Sequence, residues 1–522
     1  MREETTAPGE ERPSASADSR EDWRSFGDVD SDRILYSTEF RRLAGVTQVV
    51  PPQDDFVLHD RLTHSLKVAQ IASSLAKSLT ARAATDLGMS DTALAEFVRP
   101  EVCYAAGMAH DIGHPPFGHA AEVQLQKELG PGPKTAKGEK ALPPTGRPEL
   151  RDSFEGNAQS FRIVTRLSFR KPITSAASDG LDLTWRTLAA IAKYPWLKGD
   201  HPAEIDKLND KWSIYDSEAP YLDELHDRGL VTETRVGGKV VSVTRSVEAE
   251  IMDWADDIAY AVHDIEDFFR SGRIPLDRVK HLFALESVVN QDFANESTNI
   301  ELLELLRYSM SKLTKLAPEI PEIAEWKIPQ MAPHVRDEAV LFFPSEPFDG
   351  TRRAHGELTI FGSRMINYLE QAASLERNGS GVKLKVSVEG RVVAEFLKSL
   401  TYYFLILDPS VETMQVGQKR VVGELYRDLL ALARDVFEDD FSKPGSAKRV
   451  PVRLREYASK ALGDAQQFSG DGDGIEAPDN SELLARAVAD FICGLTDKQA
   501  TLLHKKLTGN PSGGFSASWL SI

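Results

Sequence analysis

Apolar residues recur at alternating steps of three and four through most of this chain, the spacing that gathers them on one side of a helix. Residues 248–269 show it most clearly, with Ile251, Ala255, Ile258, Val262, Ile265 and Phe269 in one stripe. On another face Asp256, Tyr260 and Asp264 recur every four residues and stack along a single line. Such an acidic line is ordinarily a solvated face. Here Tyr260 interrupts it, and the apolar stripe predicts a helix inside the domain. Buried carboxylates in a row are costly unless cations neutralise them, and a metal at Asp256 would do so.

The same patterning predicts a buried helix over 62–79 that carries His64, although a histidine on such a helix is more often a satisfied core residue than a ligand. A further helix over 102–109 is expected to stop at Gly113, which suits a left-handed position, and at Pro115-Pro116. Residues 33–50 are amphipathic, and 188–194 reads as a helix ending at Pro195 with Lys193 and Tyr194 at its tip. Residues 229–245, with Gly237-Gly238 between β-branched runs, predict a small hairpin, the one clear β signal. Helices are expected again over 392–407, 421–437 and 483–507, with turn-rich breaks near 343–356 and 468–479. The fold class is therefore mainly α, a helical architecture with a small β-hairpin and additional C-terminal helices. Residues 1–22 read as a disordered tail and 23–275 as the core, with a mobile insertion at 129–152; 276–522 reads as a helical region packed on that core.

Composition narrows the class. At 41% hydrophobic and 27% charged, the chain is an ordinary globular protein. Its net charge of -18 argues against nonspecific nucleic-acid binding as the main activity, so an anionic ligand would need locally concentrated positive charge. Cys103 and Cys493 sit in apolar helical contexts and are expected to pack as small hydrophobes, as suits a reducing compartment. No signal peptide and no apolar run long enough to span a bilayer is visible, so a cytoplasmic location is expected, with no membrane partner.

The densest chemistry lies in residues 109–122, where three histidines (His110, His114, His119) and two carboxylates (Asp111, Glu122) share fourteen positions with two glycines and two prolines. His110 and Asp111 fall in the last turn of the preceding helix, where imidazole nitrogen and carboxylate oxygen suit a divalent ion of intermediate hardness. A helix restarting near Phe117 would put His119 and Glu122 three apart on one face, as an acid/base pair aimed at that ion. Arg61, three residues before His64, shares its helical face.

Five blocks in order resemble the deoxyguanosinetriphosphate triphosphohydrolases and their bacterial dGTPase-like relatives among the HD-domain phosphohydrolases. They are residues 36–49 (YSTEFRRLAGVTQV), 61–65 (RLTHS), 110–119 (HDIGHPPFGH), 154–159 (FEGNAQ) and 256–260 (DDIAY), and the likeness continues thinly to 490–497. The resemblance implies a mostly helical fold and hydrolysis of a deoxynucleoside triphosphate to deoxynucleoside and inorganic triphosphate. It implies His64, His110, Asp111 and Asp256 as ligands of a divalent metal, Mn²⁺ or Mg²⁺, with Fe²⁺ or Zn²⁺ also chemically suitable. His119, oriented by Glu122, would transfer the proton. Arg61 would hold an α-phosphate oxygen, and Asn157, Lys193, Tyr194 and Lys211 the β and γ phosphates, with His114 among the substrate contacts. Gln48, Tyr260 and Asp264 would surround the deoxyribose. Relatives are commonly homo-oligomers, some hexameric, tuned by nucleotide effectors. Arg41, Arg42, Lys419 and Arg420 are candidates for effector phosphates, but read more simply as surface charges. This chain departs from many relatives in having Val46 in place of a lysine, and in the insertion near 130–150. Other readings stay open: another HD phosphohydrolase, such as a deoxynucleoside monophosphatase or an alarmone hydrolase, or a non-catalytic nucleotide sensor.

Overall fold

The computed structural model describes residues 9–14, 23–50, 58–130, 150–170, 180–202, 210–284, 300–379, 381–437, 449–468 and 480–509. It is predominantly helical with two small antiparallel hairpins. The helices that build and brace the site are α1 (Phe26–Leu35), α2 (Arg61–Asp86), α3 (Pro100–Ala109), α4 (His119–Leu129), α5 (Gly156–Arg162) and α6 (Trp185–Ile191), followed by α7 (Val247–Arg270), α8 (Val388–Thr401), α9 (Pro409–Phe437), α10 (Asn480–Cys493) and α11 (Asp497–Leu507).

Local chemistry sets their ends. Asp60 caps α2 by accepting from Thr63 N, Pro100 opens α3, and Ser246 caps α7 by accepting from Ala249 N. The apolar stripe of α7 is fully buried from Ile251 to Phe269 and packs on Val68, Ile71, Ala72 and Leu75 of α2. From the opposite end of the chain Val393, Phe396 and Leu397 of α8 enter the same core. A second apolar cluster joins α1, α3 and α6, and a third joins Ala121 and Leu125 of α4 to Val422 and Tyr426 of α9 and Val488 and Ile492 of α10. Helices α2 and α3 cross in close contact at Gly107, where a Cβ would stand 2.6 Å from Ala69 Cα. That spacing brings together the helices that carry His64 and His110.

Several expectations are revised. Gly113 is not left-handed; it is required because a Cβ there would meet Ser160 N at 2.1 Å. The left-handed residues are Phe117 (φ 66°) and Gly118 (φ 58°), and α4 starts at His119 rather than Phe117. The helix expected over 188–194 is α6, which leaves helical geometry at Ala192 (ψ 76°) and puts Lys193 and Tyr194 in the turn ahead of Pro195. The segment 483–507 divides into α10 and α11 because Gly494-Leu495 breaks the helix and Thr496 caps the next with a reciprocal bond to Gln499. Helix α8 starts at Val388 and passes into a π-helical turn at Tyr402–Ile406, and α9 starts at Pro409, earlier than its apolar stripe.

The expected hairpin forms from β1 (Thr232–Val236) and β2 (Lys239–Thr244), joined by left-handed Gly237 and Gly238. A second, β3 (Ala373–Asn378) with β4 (Gly381–Val386), was not expected. Its signal is Asn378-Gly379 between alternating apolar positions. Residues 9–14, inside the segment expected to be disordered, are held instead. Arg186 N and Trp185 N donate to Gly9 O and Glu11 O, and Arg12 pairs with buried Asp30 at 2.6 Å. Most of the insertion expected at 129–152 and of the break expected near 468–479 lies outside the described residues, at 131–149 and 469–479. Both cysteines are buried and free. Among the described residues no helix is long and apolar enough to cross a membrane.

Gly107→Ala should lower the urea unfolding midpoint, at a cost of about 1–3 kcal/mol, because helix backbone rather than a flexible side chain opposes the new methyl group. Gly356→Ala, whose Cβ would meet nothing within 4 Å on an exposed helix, should be neutral or stabilising by up to ~1 kcal/mol. Equal midpoints for the two variants would refute the close crossing.

Candidate metal centre and active site

Four segments converge. Helix α2 supplies Arg61 and His64, the end of α3 supplies His110 with Asp111 following, α7 supplies Asp256, and the turn after α6 supplies Lys193. His64 Nε2 lies 3.2 Å and His110 Nε2 3.6 Å from the same Asp256 oxygen. One ligand atom from each of these three residues lies within 4.8 Å of the others. Atoms bound to one ion at about 2.1 Å stand roughly 3–4 Å apart, so the set has the dimensions of a coordination shell.

His110 makes the fit sharper. Its Nδ1 is 2.7 Å from Gly107 O, which places the proton on Nδ1 and the lone pair on Nε2, yet Nε2 is buried with no hydrogen-bond partner. A divalent cation suits this donor set. Burial depresses the pKa of His64 and keeps it neutral, as a ligand must be. For His110 burial acts in the same direction, but the Asp111 and Asp256 carboxylates outweigh it and raise the pKa. Burial pushes Asp256 up, and Lys193 and His110 overcome that and hold it well below the usual range. Asp111 stands at the edge of the set. One oxygen is 3.5 Å from His110 Nε2 and 3.1 Å from His114 Nδ1, and the other pairs with Arg61.

The second half of the site is the start of α4. His119 Nδ1 is 3.1 Å from Glu122 Oε2, with the imidazole 79% exposed and the carboxylate buried. Glu122 is held strongly ionised against burial by His119, Lys211 and His114, so His119 Nδ1 must carry the hydrogen. The other oxygen of Glu122 accepts from Gly156 N at 3.2 Å. His114 bridges the halves, with Nε2 4.0 Å from Glu122. Gly118 is required twice over, by its φ and because a Cβ would meet Arg61 Nη2 at 2.7 Å.

The remaining expected contacts line the same region, and most are already paired. Lys193 Nζ lies 2.8 Å from Asp253 and 3.0 Å from Asp256, and Lys211 Nζ lies 3.1 Å from Glu155. Asn157 donates its amide to Glu155 at 2.8 Å. Tyr194 is half-buried beside Trp196, and burial raises its phenol pKa. Gln48 Oε1, next to Thr47, and Asp264 Oδ2 on α7 are buried without a hydrogen-bond partner, with Tyr260 one turn from Asp264. Burial, with Asp267 and Asp256 nearby, pushes Asp264 well above the usual carboxylate range.

Comparison with known proteins accords with this geometry. The HD domain family model matches residues 61–193, which contain His64, His110 and Asp111 but not Asp256. A deoxyguanosinetriphosphate triphosphohydrolase-like protein of Streptomyces coelicolor is 30% identical over 500 residues, 92% of each chain. The chain belongs to the deoxyguanosinetriphosphate triphosphohydrolase-like family. Two further members of this HD phosphohydrolase family are a deoxyguanosinetriphosphate triphosphohydrolase-like protein 2 of Mesorhizobium japonicum, 29% identical over 94% of each chain, and a deoxyguanosinetriphosphate triphosphohydrolase-like protein of Corynebacterium diphtheriae, 32% identical over 79% of this chain and 82% of its own.

Three groups that brace the site in this dGTPase-like chain were given no role from the sequence, and a fourth, Arg42, was read differently. Asp253 joins Lys193 to Arg245, and Glu155 caps α5 while pairing with Lys211. Asp253 sits one turn before Asp256, a spacing that could have flagged it. Asp497 binds Thr47 and Phe117 from the far end of the chain. Arg42 is no surface charge; it is buried and donates to Leu495 O, Ile112 O and His114 O, because these carbonyls would otherwise lack donors. Arg41 is exposed, and Arg420 pairs with Glu424 at 2.8 Å.

Asp256→Ala and His110→Ala should each lower the metal retained per chain by roughly tenfold or more, since even changes outside the ligand set commonly cost that much. Elemental analysis after desalting measures it, with circular dichroism confirming that the helices persist. Unchanged metal content in both variants would place the ion elsewhere.

Proposed function

We propose that the protein hydrolyses deoxynucleoside triphosphates at the α-phosphorus, releasing the deoxynucleoside and inorganic triphosphate. The observation that carries this reading is the convergence of His64, His110 and Asp256 beside the cations Arg61, Lys193 and Lys211 in an otherwise acidic protein. His64, His110 and Asp256, with Asp111 as the fourth ligand, would hold a divalent ion, Mn²⁺ or Mg²⁺ foremost. When bound, that ion supplies Lewis-acid polarisation of an α-phosphate oxygen.

The chain's own groups do the rest. Water attacks the α-phosphorus and gives up a proton to solvent, the bond from phosphorus to the 5′ oxygen breaks, and His119 delivers a proton to that departing oxygen and is reprotonated from solvent. Glu122, kept ionised, holds the His119 ring by its Nδ1–H and stabilises the charged imidazole. Arg61 offers a guanidinium to the α-phosphate. Lys193, Lys211, Asn157 and Tyr194 take the outer phosphates, and His114 contributes to the same wall. Gln48 Oε1 and Asp264 Oδ2, buried and unpartnered, suit the 3′ hydroxyl, and Tyr260 closes the space a 2′ hydroxyl would need. We extend the reading to a cytoplasmic homo-oligomer, hexameric in some relatives, that a nucleotide effector activates. Sizing chromatography with and without dNTP checks the assembly.

Purified protein given each of the four dNTPs, alone and in pairs, with Mn²⁺ or Mg²⁺, should release inorganic triphosphate, and a chelator should abolish it. Orthophosphate or pyrophosphate as the primary product would overturn the proposal in favour of another HD chemistry. His119→Ala should lower kcat by about 100- to 10,000-fold. In a separate competition assay, Tyr260→Ala should admit ribonucleoside triphosphates. Selectivity equal to that of the unsubstituted chain would count against the proposed wall.

A further inference from the structure

Asp497, at the first position of α11, lies 450 positions from Thr47 in sequence but touches both approaches to the site. Its Oδ2 accepts from Thr47 N at 3.0 Å and from the Thr47 hydroxyl, and its Oδ1 accepts from Phe117 N at 2.7 Å. Each partner sits next to a residue of the proposed machinery. Thr47 precedes Gln48, and its carbonyl accepts from Arg61 Nη2 at 3.3 Å. Phe117 is two residues before His119 and has φ 66°, a conformation disfavoured for a side chain of this size. Such a residue persists only where its surroundings over-determine it, and the Asp497 carboxylate is a buried anchor of that kind.

The consequence for His119 is geometric. Its imidazole is largely exposed, so packing does not fix it. The direction in which α4 leaves the Phe117-Gly118 turn, together with Glu122, decides where the ring points. Arg42 adds a second tie from the same distal segment, joining Leu495 O to Ile112 O and His114 O. None of these bonds involves His64, His110 or Asp256.

We propose that Asp497 is a positioning residue: it locks the left-handed Phe117-Gly118 turn onto the Thr47 segment, so that His119 meets the substrate in register. This rests on the catalytic reading above. Metal binding should be indifferent to Asp497, and turnover should not be.

The test uses the full chain loaded with metal, assayed well below its melting temperature. Asp497→Ala should lower kcat by about 10- to 100-fold, the scale of a small misplacement, with bound metal per chain unchanged. Asp497→Asn, which keeps one carbonyl oxygen, should recover part of the loss. In a His119→Ala background Asp497→Ala should cost less than about threefold further, since residues acting as a unit are not additive. An unaltered kcat, an equal loss in both backgrounds, or parallel loss of metal would overturn the proposal. If Asp497→Ala does not fold, Asp497→Asn and Thr47→Val carry the same comparisons. Should the unsubstituted chain release no triphosphate, the catalytic reading fails by itself. The ¹⁵N-imidazole resonance of His119, assigned with His119→Ala, then decides the positioning separately, moving in the Asp497 variants if the anchor holds and staying in place if it does not.

Discussion

A buried carboxylate cannot stand alone, and the centre of this protein is organised around how Asp256 is satisfied. One of its oxygens faces two imidazole nitrogens, and the other is 3.0 Å from Lys193. Lys193 is in turn shared with Asp253, which binds Arg245. Removing any member leaves a buried charge uncompensated, and that costs more than the pair itself contributes. The same logic repeats at Glu122, with Lys211 and Glu155, and at Asp490, which takes the Arg162 guanidinium in a two-pronged grip. An acidic protein thus keeps its cations where anions converge.

How much of this was legible beforehand depended on whether the signal was periodic. The α7 stripe and the Asp256-Tyr260-Asp264 line are repeats, and a repeat survives without knowledge of what packs against it. The His110 to Glu122 stretch was legible by density, since few folds collect three histidines without using them. The family blocks made Arg61 and Gln48 visible. Gln48 shows no pattern of its own.

The misses are tertiary in origin. Gly113 and Gly118 look alike in sequence; Ser160 pressing on one and Arg61 on the other separates their roles. Arg41 and Arg42 are neighbours with the same side chain, and only the carbonyls of a distant loop decide which is buried. The β3–β4 hairpin carried a local signal in Asn378-Gly379 that the surrounding helical periodicity masked. It docks through Leu384 N to Glu250 of α7, so even this peripheral element touches the helix that bears Asp256.

The family match ends at Lys193, whereas the cluster with His64 and His110 waits for Asp256 and the bracing of the Phe117 turn waits for Asp497. Synthesis runs from the amino end, so a ribosome-bound nascent chain displays the recognisable signature long before the cluster can close. Until Asp256 has been made, the His64 and His110 imidazoles lack the carboxylate oxygen that both face in the folded protein. A premature stop before Asp497 would therefore spare the signature and leave the Phe117 turn without its anchor.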